Sequence, residues 1–240
     1  MKRLKQLKIV LLGIFLLSAF WQQSFAGKTL VVDTPTTKII EYGSYEIGFK
    51  VFDGGAVEPE LLFGIFNFLN LGISWEVLDL LGHEQADPAI PAAQAKVQLY
   101  SGNMAFPAIA IGYDGQGYIH KSDAKDRYYQ EPIGLYLVIG KEVISEGAIM
   151  NIGINSYALT NDDIYGFLNL SVPIGSEYFL FLAELDRIRD MSKTRLNLGL
   201  RIILQDGFLV DLIVRDCWGA PGNNLYPNDR ILSLSYTGQF

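Results

Sequence analysis

The chain has 240 residues, of which 50% are hydrophobic, with 19 basic residues, 26 acidic residues and one cysteine. The net charge of −7 excludes a broad nucleic-acid-binding surface, because phosphate groups require a positive footprint. The single cysteine, Cys217, excludes an intramolecular disulfide and a thiolate metal cluster.

The first residues, 1–26, predict a signal peptide that is cleaved before Gly27. A positive n-region precedes an apolar run, Ile9 to Phe20, which is too short to span a bilayer comfortably. Small residues, Ser24 and Ala26, stand at the −3 and −1 positions. An uncleaved membrane anchor is the alternative. Cleavage leaves 15 basic and 26 acidic residues, a net charge of −11, and residues 27–41 are expected to form a periplasmic N-terminal segment.

Residues 42–240 predict a transmembrane β-barrel. No later segment contains 18 consecutive apolar residues, yet glycine and aromatic residues are abundant. Transmembrane strands alternate lipid-facing apolar residues with lumen-facing polar or small residues over about ten positions. Twelve such segments can be drawn: roughly 42–53, 57–67, 71–81, 93–101, 105–114, 132–141, 147–158, 164–173, 177–187, 194–204, 207–216 and 229–240. The predicted fold class is therefore all-β, a transmembrane antiparallel up-and-down barrel of about 12 strands.

The last segment alternates and ends on an aromatic residue. Its apolar face contains Leu232, Leu234, Tyr236 and Phe240. Such an ending resembles the terminal strand of bacterial outer-membrane barrels, in which it is the signal read by the barrel-assembly machinery. We therefore predict that Tyr236 and Phe240 form an assembly signal and that the protein lies in the outer membrane of a Gram-negative-type bacterium.

The lengths of the connectors between segments indicate how the barrel is oriented in the outer membrane. If the chain enters the barrel from the periplasm, the odd-numbered connections face outside. That set contains the three longest linkers, 82–92, 115–131 and 217–228, whereas the even-numbered connections are short. Long outer loops and short periplasmic turns are typical of outer-membrane barrels.

The charged residues of the segments mostly share the parity that faces the lumen. Five acids and five bases do so: Glu46, Lys50, Glu76, Lys96, Glu184, Asp186, Arg195, Arg201, Asp211 and Arg215. Four tyrosines share this parity and are expected to narrow the passage: Tyr100, Tyr136, Tyr157 and Tyr165. The charges either neutralise one another and plug the barrel or line a narrow polar channel. Equal numbers favour mutual neutralisation, because ion selection usually requires an excess of one sign.

Candidate chemistry is weak in this sequence, and no catalytic residue, metal site or cofactor is predicted. His120 and Ser122 lie close together in an outer loop near Asp123 and Asp126, but no G-x-S-x-G context surrounds the serine. A group such as His83, Glu84 and Asp87 lacks further placed metal ligands. A lipid hydrolase therefore remains only a third possible function.

Loop 115–131 mixes tyrosines with lysines and an arginine. This composition is typical of the aromatic girdle and charged rim of a barrel, and the alternative is binding of sugar rings or lipopolysaccharide head groups. The predicted partners are outer-membrane lipid, lipopolysaccharide and the assembly machinery.

Several stretches show a family resemblance: YGSYEIGFKVFDGG (42–55), LGISWEVLDLLG (71–82), FPAIAIGYDGQGY (106–118) and GLYLVIGK (134–141). Together they resemble barrel domains of the YjbH type, which are outer-membrane proteins associated with exopolysaccharide production. The resemblance implies a structural or envelope-associated, non-enzymatic role and adds polysaccharide to the predicted partners. The alternative function is a narrow channel for small polar solutes or oligosaccharides.

Overall fold

The computed structural model describes residues 28–143, 147–160, 163–189, 192–204, 207–219 and 228–240. The predicted signal peptide and its cleavage site lie outside these residues. The described part of the chain contains sixteen strands: β1 (Ser44–Phe52), β2 (Ala56–Phe66), β3 (Leu69–Ser74), β4 (Val77–Leu78), β5 (Asp87–Pro88), β6 (Ala92–Tyr100), β7 (Ala108–Asp114), β8 (Tyr118–Lys121), β9 (Ala124–Gln130), β10 (Gly134–Glu142), β11 (Ile149–Ser156), β12 (Ile164–Ile174), β13 (Ser176–Ile188), β14 (Arg195–Ile203), β15 (Phe208–Arg215) and β16 (Asp229–Gln239). A short 3-10 turn, Asp53–Gly55, connects β1 to β2.

Twelve of these strands close into an antiparallel barrel. Around the barrel the order is β1, β16, β15, β14, β13, β12, β11, β10, β7, β6, β3 and β2, and β2 returns to β1. Closure runs along the whole of β1, from Ser44 opposite Gln239 to Val51 opposite Leu232. The protein is therefore a transmembrane up-and-down β-barrel of twelve strands, as the sequence predicted.

The outer face of the barrel is apolar because the strands alternate with period two. On β14, Leu196 and Leu198 face outward, whereas Asn197 between them is fully buried. On β16, Leu232 and Leu234 are exposed on the same outer surface. Among the described residues, no helix is long and apolar enough to cross a bilayer.

One predicted strand is wrong in extent. Segment 71–81 was expected to cross the membrane, but β3 ends at Ser74. After a break of two residues the chain stays against β2, because Val77 pairs with Val57 in the register that Ser74 and Glu60 set. On its other side Val77 pairs with Pro88, so that β4 and β5 form an extension of the wall. Asp79 has a positive φ of 54°, which is incompatible with a continuing extended strand. Glu76 lies in the break between β3 and β4 and is fully buried, on the inward side that its parity predicts.

The two ends of the barrel differ as expected. At one end the connections are short, and Gly175 alone separates β12 from β13 with a φ of +67°, a conformation that favours glycine. The opposite end contains the β4–β5 extension and the β8–β9 hairpin, in which Tyr118 pairs with Gln130. Loop 115–131 is therefore an ordered hairpin at the barrel mouth.

Two of the four tyrosines that were expected inside are on the outer surface. Tyr136 is buried, but Tyr100 and Tyr157 are 39% and 38% exposed. A register shift between Gln98 and Tyr100 adds one residue to β6 and reverses the parity of its end. Tyr157 follows the last residue of β11 and no longer obeys the strand alternation. The predicted narrowing of the lumen therefore does not come from Tyr100 or Tyr157.

Candidate functional site

The lumen of the barrel contains the charged residues. All ten residues singled out by strand parity are at most 6% exposed: Glu46, Lys50, Glu76, Lys96, Glu184, Asp186, Arg195, Arg201, Asp211 and Arg215. Glu76 alone among them belongs to a connection and not to a strand.

The expected balance of five acids and five bases is wrong. The buried charged residues of the described chain comprise eleven acids but six lysines and arginines. The acids missing from the sequence analysis are Asp33, Glu58, Glu60, Asp114, Asp216 and Asp229, and the missing base is Lys28. Glu58 and Glu60 carried a usable signal, because they share the parity that faces inward from β2. Lys28 and Asp33 carried none, because they precede the first strand.

The lumen is filled by the chain's own N-terminal segment. Residues 28–40, which we call the plug, rise into the barrel as a loop and return to β1. This corrects the expected periplasmic segment 27–41. The physical reason is that the plug supplies backbone donors, one cation and one carboxylate to lumen side chains that would otherwise lack partners. Below it, toward the short-turn end, Thr37 and Lys38 border a vestibule of about 600 Å³.

The apex of the plug is held by Glu184 on β13. Its carboxylate accepts hydrogen bonds from the backbone N–H groups of Val32, Asp33 and Thr34 at 2.9–3.2 Å. The Thr34 hydroxyl donates a further bond at 2.7 Å, and Asn197 donates from β14 at 2.8 Å. Five donors therefore converge on one buried carboxylate, which fixes both the carboxylate and the turn of the plug.

The side chain of Asp33 enters an aromatic and cationic socket. Arg215 on β15 approaches its carboxylate at 2.8 Å through Nε and 3.1 Å through Nη2. Arg215 also donates to Asp229 at 3.1 Å, and its guanidinium lies 3.7 Å from the ring centroid of Tyr118. The Tyr118 hydroxyl donates to Asp33 at 2.7 Å. The outer hairpin and the barrel wall therefore both bind the same plug residue, Asp33.

Lower in the lumen, the plug joins a second ion-pair group. The Lys28 ammonium donates to Asp211 and Ser233 at 2.9 and 3.0 Å. Arg201 binds both oxygens of Asp211 at 2.8 and 3.0 Å and also donates to the Val31 carbonyl at 3.1 Å. Lys28 thus occupies a cation position beside an already paired carboxylate.

Amide side chains hold the returning limb of the plug. Asn169 donates to the Thr34 hydroxyl and to the Pro35 carbonyl at 2.8 and 3.1 Å. Asn70 on β3 makes a reciprocal pair with the backbone of Ile40, at 2.9 and 3.0 Å. Because each amide offers both a donor and an acceptor, it can satisfy irregular backbone that forms no ladder.

A small apolar cluster adds to these polar contacts. Val31 and Val32 of the plug are buried in one cluster with Leu182, Ile213 and Ile231 of the wall. Burying a side chain of this size contributes roughly 1.5–3 kcal/mol. The plug is therefore packed into the lumen and not merely threaded through it.

The inward charges of β13, β14 and β15 form a group that we call the paired wall. Its members are Glu184, Asp186, Arg195, Arg201, Asp211 and Arg215. Arg195 pairs with Asp186 on the neighbouring strand, and Arg201 pairs in the same way with Asp211. With three acids and three bases, this wall carries no net charge.

The inward charges of β1 and β2 form a different group, the acidic wall, which contains Glu46, Lys50, Glu58 and Glu60. Lys50 donates to Glu58 at 2.9 Å. One carboxylate oxygen of Glu46, one of Glu58 and one of Glu60 are buried and accept no hydrogen bond from the described residues. The acidic wall therefore has three acids, one base and unsatisfied acceptors.

Two small cavities lie beside the plug, and one of them is bordered by Lys50 and Glu58 of the acidic wall. Each has a volume of about 20 Å³, and each is bordered by Leu30, Gln94 and Asp114. Lys96 donates across one of them to the Thr29 carbonyl at 2.7 Å. A volume of this size holds about one water molecule. Small spaces therefore remain between the plug and the wall near Gln94 on β6 and Asp114 on β7.

His120 lies in a buried polar cluster and not in a hydrolytic site. Its two ring nitrogens lie 2.9 Å from Glu76 and 3.1 Å from Asp87. Glu76 also accepts the backbone N–H groups of Ile119 and His120. Both nitrogens therefore face carboxylates, and neither is available to activate the exposed Ser122.

The same cluster fastens the outer hairpin to the extension above β3. Asp87 lies outside the membrane-spanning strands, and hydrogen bonds from Lys125 and His120 lower the pKa of its carboxyl. His83 and Glu84, which the sequence analysis considered with Asp87 as metal ligands, are exposed and separate from this cluster.

Three buried carboxylates have the spacing of a metal site. Oxygens of Asp33, Glu184 and Asp186 lie within 4.8 Å of one another. Arg215, Arg195 and the N–H groups of the plug already occupy these oxygens. Fixed positive groups therefore supply the charge that a cation would bring, and we assign ion pairing to this group.

The predicted assembly residues lie together at the short-turn rim. Phe240 is 81% exposed, and its ring stacks on Phe63 at 6.0 Å and lies 5.3 Å from Tyr45. Tyr236 contacts Tyr45 and Phe208. The aromatic group covers the seam between β1 and β16, and its recognition by an assembly machinery stays a prediction.

No protein-family model and no curated protein matches the chain. Among solved structures, a mutant of the Rhodopseudomonas blastica porin aligns with a TM-score of 0.35 and 13% identity, covering 78% of this chain and 56% of that chain. A triple mutant of the same porin gives a TM-score of 0.36 and 13% identity, covering 77% and 55%. This chain spans little more than half the length of those porins. The resemblance to YjbH-type barrels and the association with exopolysaccharide stay predictions.

Proposed function

We propose that the protein is a non-enzymatic outer-membrane channel for small polar solutes, closed in the described conformation by its plug. The observation that carries this proposal is that the plug belongs to no barrel strand. Its β-bridge, between Leu30 and Pro35, is internal to the segment. The plug can therefore leave the lumen without breaking a hydrogen bond between barrel strands.

The lining of the lumen supports a polar passage. This barrel has twelve strands. It is therefore wider than an eight-stranded barrel, in which side chains alone are enough to fill the interior. Here the wall contributes asparagine, serine and charged side chains, and the plug occupies the remaining space. The vestibule of about 600 Å³ reaches the plug from the short-turn side. Removing the plug would join this vestibule to the outer mouth.

A permanently closed barrel with a structural role in the envelope is the second candidate. The packing of Val31 and Val32 against Leu182, Ile213 and Ile231 favours it, because a segment with an apolar anchor is harder to displace. The two candidates differ in one measurable property, which is conduction after the plug is removed.

Planar-bilayer recordings on two proteins test the proposal: the chain from Gly27 onward and a variant that also lacks residues 28–37. The first should conduct little and the second should show steady single-channel conductance, because the lumen is then unfilled. Heat-dependent gel migration must show that both proteins form barrels. A folded deletion variant that does not conduct would reject the channel and favour the structural role.

A reversible lock provides the matched control. Thr34 and Asn169 are in side-chain contact, so the double substitution Thr34→Cys with Asn169→Cys places two thiols between plug and wall. The background is Cys217→Ser, which removes the native thiol. Oxidation should hold the barrel closed and reduction should restore any openings, whereas Thr34→Cys alone should not respond. Channel openings that persist at the same frequency after oxidation would show that the plug is not the gate.

A further inference from the structure

The excess of acid in the lumen does not come from the plug. The plug contributes Lys28 and Asp33, which cancel, so the remaining buried charges of the described chain are ten acids and five lysines and arginines. The paired wall is neutral. The acidic wall of β1 and β2 therefore carries part of an excess that an open lumen would present to solutes.

The bases of the wall keep their partners without the plug. Arg195 pairs with Asp186, Arg201 with Asp211 and Arg215 with Asp229, and each of these carboxylates belongs to the barrel. Lys50 keeps Glu58. Lys96 is different, because it donates to the plug carbonyls of Thr29 and Lys38.

The acids of the wall do not all keep partners. Glu184 would lose the four donors that the plug supplies and retain the amide of Asn197. Glu46 and Glu60 already contain buried oxygens that accept no hydrogen bond from the described residues. A buried carboxylate oxygen without a donor is unfavourable, and a nearby cation relieves it. An open lumen would thus present three weakly paired acids and one released base.

We infer that the open lumen selects small cations over anions, and that Glu46 and Glu60 on the acidic wall are the residues that determine this selectivity. The inference rests on the proposed channel function. Rings or walls of acidic side chains select cations because they raise the local cation concentration and repel anions. The arginines do not oppose this effect, because each is neutralised by a carboxylate on its own or a neighbouring strand.

Reversal potentials across a KCl gradient test the inference in the variant that lacks residues 28–37. The expected permeability ratio favours K⁺ over Cl⁻ by at least about threefold. The double substitution Glu46→Gln with Glu60→Gln should move that ratio toward one. Lys96→Gln should move it in the opposite direction, because it removes the released base. Glu177→Gln, at an exposed position near the start of β13, is the control and should change nothing.

The outcomes separate this inference from the proposed function. A folded deletion variant without conductance rejects the channel itself. Steady conductance with a preference for Cl⁻, with no preference, or with a preference that survives the double substitution overturns the inference and leaves the channel standing. Where the deletion variant fails to assemble, the full chain carrying Glu184→Gln, which loosens the plug, is recorded in the same gradient with the same expected direction.

Discussion

The paired wall and the acidic wall contain the same residue types in the same kind of position, and they differ in their partners. Glu184 and Glu60 are both buried glutamates that face the lumen from a barrel strand. Five donors converge on Glu184, whereas one oxygen of Glu60 accepts no hydrogen bond from the described residues. Burial alone therefore does not show whether a lumen charge stabilises the closed barrel. The number of hydrogen-bond donors that the charge faces, and the segments that supply them, show whether it does so.

The difference assigns separate tasks to the two walls. The paired wall holds the plug, because Glu184, Arg201 and Arg215 each contact it directly. On the acidic wall, Lys50 and Glu58 border a small cavity beside the plug residues Leu30 and Asp33. Substitutions that remove one charge should therefore destabilise the barrel strongly on the first wall and weakly on the second.

Arg215→Ala should have the largest effect, a loss of about 3–5 kcal/mol in the free energy of unfolding. The substitution leaves Asp33 and Asp229 buried without their shared counter-charge and removes the cation that covers the Tyr118 ring. Urea unfolding in detergent measures it. Arg230→Ala, at an exposed position on β16, is the control and should change stability little. Similar effects for the two arginines would contradict the paired wall.

Leu198→Arg tests whether the outer face lies in lipid. Leu198 faces outward on β14, so an arginine there should destabilise the barrel by roughly 2–4 kcal/mol in a bilayer. Leu81→Arg, in the outer loops, should have almost no effect, because that side chain is already exposed to water. Folding equilibria in lipid vesicles give both values. A mild effect at position 198 would mean that this surface does not contact hydrocarbon.

Glu184→Gln and Glu60→Gln compare the two walls with one chemical change. At Glu184 the amide nitrogen replaces an acceptor that faces several donors, so we expect a loss of about 1.5–3 kcal/mol and greater exposure of the plug. At Glu60 the change removes a poorly satisfied charge, so stability should stay constant or rise. Thermal unfolding gives the stabilities. The rate at which a cysteine introduced at Thr34 is labelled measures the exposure of the plug. The reverse order would mean that the walls have been assigned the wrong roles.

Deletion of Phe240 should lower stability only slightly, by less than about 1 kcal/mol. Its ring is largely exposed and makes one tilted and one stacked contact, and its backbone N–H donates one hydrogen bond, to Gly43. The yield of assembled barrel should nevertheless fall while export continues. Heat-dependent migration of membrane fractions measures the yield, with Phe106→Ala, an exposed aromatic elsewhere, as the control. Unchanged assembly would show that Phe240 is not a signal.

The barrel wall could be predicted from the sequence because its information is local. Each of the twelve barrel strands overlaps a segment that shows period-two alternation, and Arg195, Asn197 and Arg201 face the lumen as their parity requires. The prediction that Tyr100 faces the lumen was wrong, because a single inserted residue in β6 reverses the strand parity. Glu58 and Glu60 could have been identified from parity, and their omission produced the apparent charge balance.

The plug could not be predicted by the same reasoning. Residues 28–40 show no period, and their polar side chains are compatible with a solvated segment. Their role depends on partners far along the chain, such as Glu184, Asn169 and Asp211. The partnership of His120 with Glu76 likewise required the three-dimensional position of the outer hairpin. Sequence parity gives the direction of a side chain but not the identity of what it meets.

The distance along the chain between the plug and its partners has a consequence for biogenesis. Thr34 and Glu184 are 150 residues apart, and Lys28 and Ser233 are 205 apart. Such non-local contacts form late, because loop-closure entropy must be overcome first. The plug precedes every strand in the chain, yet its binding surface does not exist until β13 to β16 have paired. We therefore expect filling of the lumen and pairing of β1 with β16 to be the last steps of folding, and to depend on each other. A chain stalled before them would expose both an unpaired sheet edge and an unoccupied polar lumen.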